Sequence, residues 1–457
     1  FGVRLNSTQG FYQGILEKKI KMIVPAFNVR SLSFDTMTSL FKAVRDEKVG
    51  LFILEIAQSE IGYTKQPPME YATVAIAAAL YSGYEGDIIL QLDHLQAGNN
   101  SEEEMKKVVQ LIRQAYDAGF GAVDIDMSKL VNYRKQGLSQ QQEENVKLTA
   151  YFTLLLRSLE DKVRIAIGGE VGEIGGTEGD EASEGAEVGS VQEMGVFYRD
   201  CHKMIAELLK KLKAGQKDVL PAWLMSQKEI KRLLEKSGSM EGLIKIAAPI
   251  GTAHGEGVLI SVPALVDTIA RKAKASQEMD AVFAVHAFSL VNRQVYPEAV
   301  KVVDAGEVHL GTLFQDIVYK HVPKEIMDNW EFELMKAEGK RMQGYASRED
   351  FIKKEKKRIN GLLKERMWGI DEKLKEKMRA DLHKEFVEIF RALKLSNTGE
   401  LIKGLKEEGY GSGEIEIREG REKTAVPETR NSLKTTIAGW LNSFKKVKAA
   451  PAKTVTA

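Results

Sequence analysis

Three histidines of this chain, His94, His254 and His286, each follow a short run of apolar residues. Such a run is typical of a buried strand, so each histidine is expected where a strand ends. Imidazole nitrogen is a good zinc ligand, and three protein ligands leave a coordination position open for substrate. The three histidines therefore predict a catalytic site for Zn²⁺ or another divalent cation, although any one of them alone could be a structural histidine.

Carboxylates accompany these histidines. Glu170 ends a further apolar run, so it could share the cation or hold it in a second position. Asp93 directly precedes His94, and neighbouring side chains of a strand point in opposite directions. We therefore expect Asp93 to exchange a proton with substrate rather than bind the same ion, the alternative being that it orients a ligand. Glu178 lies in a glycine-rich acidic segment and suits a base that moves in on closure, or else an ordinary exposed acid.

Strand-like runs alternate with helical patterns along the chain. The runs are Ile23–Val29, Gly50–Ile56, Asp87–Leu92, Ala122–Asp126, Val163–Gly169, Leu243–Ala248, Ala281–Val285 and a shorter one at Val308–Leu310. This order predicts an α/β fold, a (β/α)8 TIM barrel with its active site at the C-terminal ends of the strands. A doubly wound open sheet is the alternative. Asn28 and Ser59 follow the first two runs and are candidate substrate-binding residues.

Composition narrows the setting. The chain has 66 Lys and Arg against 65 Asp and Glu, a net charge of +1, so we expect neither nucleic acid nor membrane as a partner. The single cysteine, Cys201, fits a reducing cytoplasm. No apolar stretch approaches the ~20 residues that span a bilayer, and the first residues lack a signal-peptide pattern. We expect a soluble cytoplasmic protein.

Two regions depart from a compact barrel. A long insertion separates the fifth and sixth strands, and beyond Pro323 the sequence is dense in charge. These shifts predict a catalytic barrel over residues 1–323, a helical C-terminal extension over 324–445 and a disordered tail over 446–457. Charge runs such as Lys353–Arg358 favour solvated helix faces over a nucleic-acid surface, because no aromatic residues interleave with them. The amphipathic stretch Ser432–Lys446 predicts a helix that docks on the barrel or on a second subunit.

The succession of motifs resembles the class II, metal-dependent fructose-bisphosphate aldolase family. The motifs are Val24–Val29, Asp93-His94, Asp126–Leu130 followed by Glu143–Val146, Glu170, Gly175–Glu178, Gly251–Gly255 and His286. The resemblance implies a zinc-dependent barrel enzyme that makes or breaks a ketose bisphosphate through an enediolate. It also implies metal ligation by the three histidines, with Glu170 as the acid of an alternative metal position. Asp93 would handle a hydroxyl proton, and Glu178 would be the loop base at the enediolate carbon.

The sequence departs from the family where the substrate phosphate is held. The family's last metal histidine opens a His-Gly-Gly-Ser-Gly stretch, whereas His286–Leu290 reads His-Ala-Phe-Ser-Leu. Replacing the glycines is expected to remove close backbone approach and to add a large ring. The family's Asn-x-Asp-Thr pattern after the eighth strand is replaced by Gly311–Phe314, which reads Gly-Thr-Leu-Phe. Ser289 and Gly255 persist as candidate substrate-binding residues.

The combined hypothesis is a zinc-dependent, aldolase-like lyase of carbohydrate metabolism. It would reversibly cleave a ketose phosphate such as the glycolytic fructose 1,6-bisphosphate, with Arg293 or Lys129 supplying charge for the phosphate. The alternatives are a sugar-phosphate epimerase or isomerase working at the same site, and a non-catalytic subunit. We expect a homo-oligomer.

Overall fold

The computed structural model describes residues 2–172, 190–216, 218–236, 242–250, 252–253, 257–258, 261–327, 330–411, 413–415 and 417. Parallel strands close into an eight-stranded barrel with helices between them. The barrel strands are β2 (Met22–Asn28), β3 (Ile53–Ala57), β4 (Gly86–Gln96), β5 (Ala122–Asp126), β6 (Ala166–Glu170), β7 (Lys245–Ala247), β10 (Val282–Val285) and β11 (Ala305–Leu310). The last strand pairs with the first, Val308 opposite Pro25, and so closes the barrel. The predicted (β/α)8 barrel is confirmed.

Three further strands lie outside the barrel. β1 (Val3–Asn6) pairs in parallel with the start of β4, whereas β8 (Thr252–Ala253) and β9 (Gly257–Val258) pair with each other in antiparallel fashion. The helices are α1 (Gln9–Glu17), α2 (Ser33–Glu47), α3 (Gln58–Thr64), α4 (Pro68–Ser82), α5 (Glu102–Asp117), α6 (Leu138–Gln141), α7 (Glu143–Leu159), α8 (Val191–Lys213), α9 (Gln227–Lys236), α10 (Val262–Glu278), α11 (Val295–Val302), α12 (Thr312–His321), α13 (Lys324–Met327), α14 (Trp330–Glu338), α15 (Arg348–Glu355), α16 (Ile359–Leu362), α17 (Lys364–Trp368), α18 (Glu372–Ala392) and α19 (Gly399–Glu407).

Side-chain caps fix where α5 and α8 begin. Ser101 precedes α5, and its Oγ accepts a hydrogen bond from the Glu104 N–H at 3.4 Å. Ser190 precedes α8 in the long insertion, and its Oγ accepts from the Glu193 N–H at 3.0 Å. Such caps satisfy backbone donors that have no partner inside the helix. Among the described residues, no helix combines the length and apolar character needed to cross a bilayer.

The C-terminal helices pack on the side of the barrel. Phe386 of α18 stacks on Phe314 of α12, with ring centroids 4.5 Å apart, and meets Phe27 of β2 edge-on at 5.2 Å. Arg379 of α18 donates to Asp35 of α2 at 2.5 Å. The described residues up to 417 belong to one compact unit. The C-terminal region is therefore helical as predicted, while the helix expected over 432–446 and the tail expected over 446–457 lie outside the described residues.

Truncating Phe386 tests how firmly α18 is anchored. Phe386 is fully buried, so Phe386→Ala is expected to lower the free energy of unfolding by about 3–5 kcal/mol, measured by urea-induced unfolding. Phe332→Ala is the matched control, because that ring is 65% exposed and its loss should change the same quantity by less than about 0.5 kcal/mol. Equal effects of the two substitutions would contradict the anchoring role.

Candidate active site

A bulge in β4 places Asp93 and His94 side by side at the mouth of the barrel. The pairing of β4 with β5 shifts register between Leu92 and Leu95, and His94 has a left-handed backbone with φ of +45°. His94 Nε2 lies 3.6 Å from Asp93 Oδ2. The expectation that strand alternation separates these two side chains is wrong, because the bulge interrupts the alternation at this position.

Glu170 joins two of the predicted metal-binding histidines. Its Oε1 lies 3.0 Å from His94 Nδ1 and 3.3 Å from His286 Nε2. Together with Asp93, these residues each offer one ligand atom, and all four atoms lie within 4.8 Å of one another. The structure thus brings together Asp93, His94, Glu170 and His286 at the ends of three strands. The other residues expected here, His254, Gly255 and Glu178, lie outside the described residues.

Neighbouring polar groups hold this cluster from behind. Asp126, at the end of β5, has its Oδ2 3.2 Å from His94 Nδ1, and its Oδ1 accepts from the Ser128 N–H at 3.1 Å. Asn145 of α7 donates to the main-chain oxygen of Glu170 at 2.9 Å. Such partners fix the orientation of ligands around a metal ion.

Burial and nearby charge act against each other in the cluster. Burial lowers the pKa of His94, but the charges of Asp93 and Glu170 raise it more, so that this pKa lies well above its usual value. Burial raises the pKa of Asp93 well above its usual value, against the opposing charge of His94. Both pKa values are raised because the buried acids have little positive charge around them. A bound cation would supply that positive charge.

The donor set fits a divalent cation. Glu170 Oε1 and Asp93 Oδ1 are buried and accept no hydrogen bond from any described residue. A buried carboxylate oxygen without a donor is costly unless something positive lies against it. Imidazole nitrogen and carboxylate oxygen are ligands of Zn²⁺ and of other divalent transition metals.

The predicted substrate-binding residues are placed unequally. Asn28 ends β2, and its buried Oδ1 has no hydrogen-bond partner among the described residues. Ser289 follows β10, and its Oγ accepts from the Gly311 N–H at 2.9 Å. Ser59 lies in the first turn of α3, and its side chain is exposed. Asn28 and Ser289 therefore lie at C-terminal strand ends, next to the barrel mouth, whereas the side chain of Ser59 is exposed to solvent.

The loop after His286 keeps the backbone shape expected of a glycine. Ala287 has a left-handed backbone with φ of +56°, a conformation that costs a non-glycine residue about 1–3 kcal/mol. Phe288 is fully buried, and its ring packs on Tyr296 of α11 with centroids 4.6 Å apart. The loss of glycine has therefore not removed the local turn, and the added ring packs on α11.

Arg30 is a cation near the mouth that the sequence did not single out. It follows β2, forms an ion pair with Glu60 at 2.7 Å and donates to Thr312 Oγ1 at 2.9 Å. By contrast, the candidate Arg293 is paired with Glu385 of α18, and Lys129 is exposed in a short 3₁₀ turn. Arg30 is thus a positive charge that lies beside Asn28 and Gly311.

A buried lysine organises the barrel interior below the mouth. Lys245 Nζ lies 2.7 Å from Asp124, 2.8 Å from Glu307 and 2.7 Å from Gln91 Oε1. Tyr12 of α1 donates to the second oxygen of Glu307. Burial lowers the pKa of Lys245, but Asp124 and Glu307 raise it more, so the lysine is held in its charged form. This layer was missed because inward-facing polar residues in a strand look like solvent-facing ones.

Comparison with known proteins identifies the family. The sequence matches the family described as fructose-bisphosphate aldolase class-II over residues 17–381. The chain belongs to this family. The class II aldolase resemblance is thereby confirmed.

Solved structures share the fold of this class II aldolase family member. One is the YdjI aldolase from Escherichia coli K12, with a TM-score of 0.50 and 13% identity over 86% of this chain and 99% of that chain. Another is the fructuronate-tagaturonate epimerase UxaE from Cohnella laeviribosi, with a TM-score of 0.54 and 9% identity over 84% of this chain and 86% of that chain. No curated protein matches the sequence.

Gly168 tests the ion pair in the interior of the barrel. A Cβ at this position would overlap Asp124 Oδ1 and lie 3.1 Å from Lys245 Cε. Gly168→Ala is therefore expected to lower the free energy of unfolding by about 3 kcal/mol or more, because it displaces one partner of a buried pair. Gly195→Ala in α8 is the control: its Cβ would meet nothing within 4 Å, and it should be neutral or stabilising by up to about 1 kcal/mol. Similar urea midpoints for the two variants would contradict the packing argument.

Proposed function

We propose that this class II aldolase family member is a divalent-metal-dependent lyase that reversibly cleaves a ketose phosphate, with fructose 1,6-bisphosphate as one candidate. The observation that carries the proposal is the buried cluster of His94, Glu170 and His286 beside Asp93. This cluster lies at the C-terminal ends of the barrel strands, where TIM-barrel enzymes have their catalytic groups.

The metal would be held by His94, Glu170 and His286, and by His254 as the family resemblance implies. We favour Zn²⁺ because imidazoles predominate in this set. The ion supplies a Lewis acid that draws negative charge from a substrate carbonyl. Asp126 Oδ2 lies 3.2 Å from His94 Nδ1, the nitrogen that also faces Glu170, and so helps to fix the orientation of this ring.

Asp93 is proposed to carry the proton of the cleavage step. Its side chain is buried, and Oδ1 accepts no hydrogen bond from the described residues, so a substrate hydroxyl could donate to this carboxylate. When Asp93 takes that proton, the C–O bond becomes a carbonyl and the adjacent C–C bond breaks. The electron pair of the broken bond stays with the ketose-derived fragment, and Glu178 returns a proton to its carbon.

Recognition of the substrate is proposed to fall on Asn28, Arg30 and Ser289. The free Oδ1 of Asn28 could accept from a substrate hydroxyl, and Arg30 carries the positive charge next to it. Ser289 supports the Gly311 backbone at 2.9 Å. A guanidinium suits phosphate or carboxylate, because its donors match both anions.

Epimerisation of a sugar or sugar acid is the second candidate function. The family's glycine-rich phosphate loop is replaced here, and Phe288 of that loop is fully buried against Tyr296. These features favour a substrate with one anionic group over a bisphosphate. The fold likeness to the fructuronate-tagaturonate epimerase is compatible with this candidate. Breaking and remaking one C–C bond, or moving one proton, would use the same metal and Asp93.

Two substitutions separate metal binding from proton transfer. Asp93→Ala is expected to keep the ion held by the histidines and Glu170 but to lower kcat by about 10²–10⁴-fold, the usual contribution of a general acid or base. His254→Ala is expected to lose that ion. Bound metal is measured by mass spectrometry of dialysed protein, and turnover by a coupled aldehyde assay. Wild-type turnover in Asp93→Ala would show that Asp93 does not carry the proton.

Measurement of the metal content and a substrate screen test the proposal that this protein is a metal-dependent enzyme. Purified protein is expected to retain at least one divalent ion per chain and to turn over at least one ketose phosphate or sugar acid. The screen should pair cleavage assays with isotope exchange, which detects epimerisation without net cleavage. A chain that binds no stoichiometric metal and turns over none of these compounds would instead be a non-catalytic member of the family.

A further inference from the structure

A second group of ligands lies beside the first. It consists of Glu55 of β3, Asp93 of β4 and His309 of β11, with exposures of 1%, 4% and 4%. His309 Nδ1 lies 2.9 Å from Glu55 Oε2 and 3.6 Å from Asp93 Oδ1. Ligand atoms about 2.0–2.2 Å from one ion lie about 3 Å from one another, so these separations suit a shared cation.

Hydrogen bonds do not account for these contacts. Asp93 Oδ1 and both ring nitrogens of His309 are buried, and none forms a hydrogen bond of good geometry with a described residue. Glu55 Oε2, the oxygen that faces His309, accepts from Gln91 Nε2 at 3.0 Å, and the other oxygen, Oε1, has no described partner. No lysine or arginine in the described part of the chain pairs with Glu55 or Asp93. Buried acids and an imidazole this close, without hydrogen bonds between them, suit the ligand set of a metal cation.

Glu307 orients His309 in the way that metal-binding histidines are commonly oriented. Glu307 Oε1 lies 3.0 Å from His309 Nε2. Glu307 is itself held by Lys245 at 2.8 Å and by Gln91 Nε2 at 2.8 Å. A carboxylate beside one ring nitrogen favours the tautomer with the proton on that nitrogen, which leaves the lone pair of the other nitrogen free. That other nitrogen is Nδ1, which faces Glu55 and Asp93.

The balance of charge in the barrel interior also favours a bound cation. Buried carboxyl groups line it at Glu55, Asp93, Asp124, Asp126, Glu170 and Glu307. Among the described lysines and arginines, Lys245 is the one that pairs with this set, and it serves Asp124 and Glu307. The deeper acids therefore have a lysine as their cation, whereas Glu55 and Asp93 face imidazoles but no described lysine or arginine. One divalent ion at His94, Glu170 and His286 would balance only part of the remaining negative charge.

We propose that Glu55, Asp93 and His309 bind a second divalent transition-metal ion. Asp93 would then lie between two ions, with Oδ1 toward His309 and Oδ2 toward His94, 3.6 Å from its Nε2. Binding through Oδ1 leaves Oδ2 for the proton of the substrate. The second site depends on the proposed function only through this shared residue, since Glu55 and His309 take no part in the first cluster.

Metal stoichiometry of the full chain tests the proposal. Demetallated protein is titrated with Mn²⁺ in a calorimeter, and the bound metal is counted by mass spectrometry after gel filtration. Wild type is expected to bind two ions per chain, and Glu55→Gln and His309→Gln one. Glu55→Gln keeps the shape and an acceptor for Gln91, which now donates to Glu55 at 3.0 Å. Asp35→Asn is the matched control, a buried acid of α2 that has Arg379 as its cation and lies outside the barrel interior, and it should bind two.

Electron paramagnetic resonance adds a readout that a structural role would not produce. Two Mn²⁺ ions on either side of Asp93 should be magnetically coupled in wild type and in Asp35→Asn, and uncoupled in Glu55→Gln. Wild type with one ion, or Glu55→Gln and His309→Gln with two, would overturn the second site and leave the proposed function standing. Wild type that binds no ion would overturn both. Loss of the first ion alone, in His286→Ala, identifies which of the two sites each signal reports.

Discussion

The ammonium group of Lys245 is the interaction on which the interior of this barrel depends. TIM barrels usually fill their interior with layers of branched apolar side chains, whereas this one carries acids from β3, β4, β5, β6 and β11. Lys245 lies among Asp124, Glu307 and Gln91 within 2.8 Å. A buried charge with one partner removed costs about 3–5 kcal/mol. Loss of any one partner is therefore expected to destabilise the whole network. Through Glu307 the network also holds Tyr12 and His309.

Backbone strain is concentrated beside the candidate ligands. His94 and Ala287 both have left-handed backbones, at φ of +45° and +56°, and Ala287 directly follows His286. A strained backbone of this kind persists only where contacts with the surrounding structure enforce it, and such residues are frequent at functional sites. In β4 the strained backbone has a clear structural effect, because the bulge turns the side chains of Asp93 and His94 toward the same space.

The sequence predicted the barrel well because each buried strand is a short, mainly apolar run and these runs alternate with helical patterns. The positions of His94, Glu170 and His286 followed directly from those strand ends. Glu55, Asp124, Glu307 and His309 did not, because an acid alternating with apolar residues has the same pattern whether it faces water or a polar interior. The bulge at Asp93 was equally hidden, since it depends on the register of β5. The pairing of Arg30 with Glu60 and Thr312 could not be predicted either, because these residues follow three different strands that only the closed barrel brings together.

Helix α18 also constrains how copies of this chain could assemble. It covers the outer surfaces of α2 and α12 with Phe386, Arg379 and their neighbours. A symmetric dimer needs the same patch free on both copies, and that part of the barrel wall is already occupied within each chain. A rotation axis relating two subunits would therefore have to pass elsewhere, over the remaining outer helices or over α18 itself.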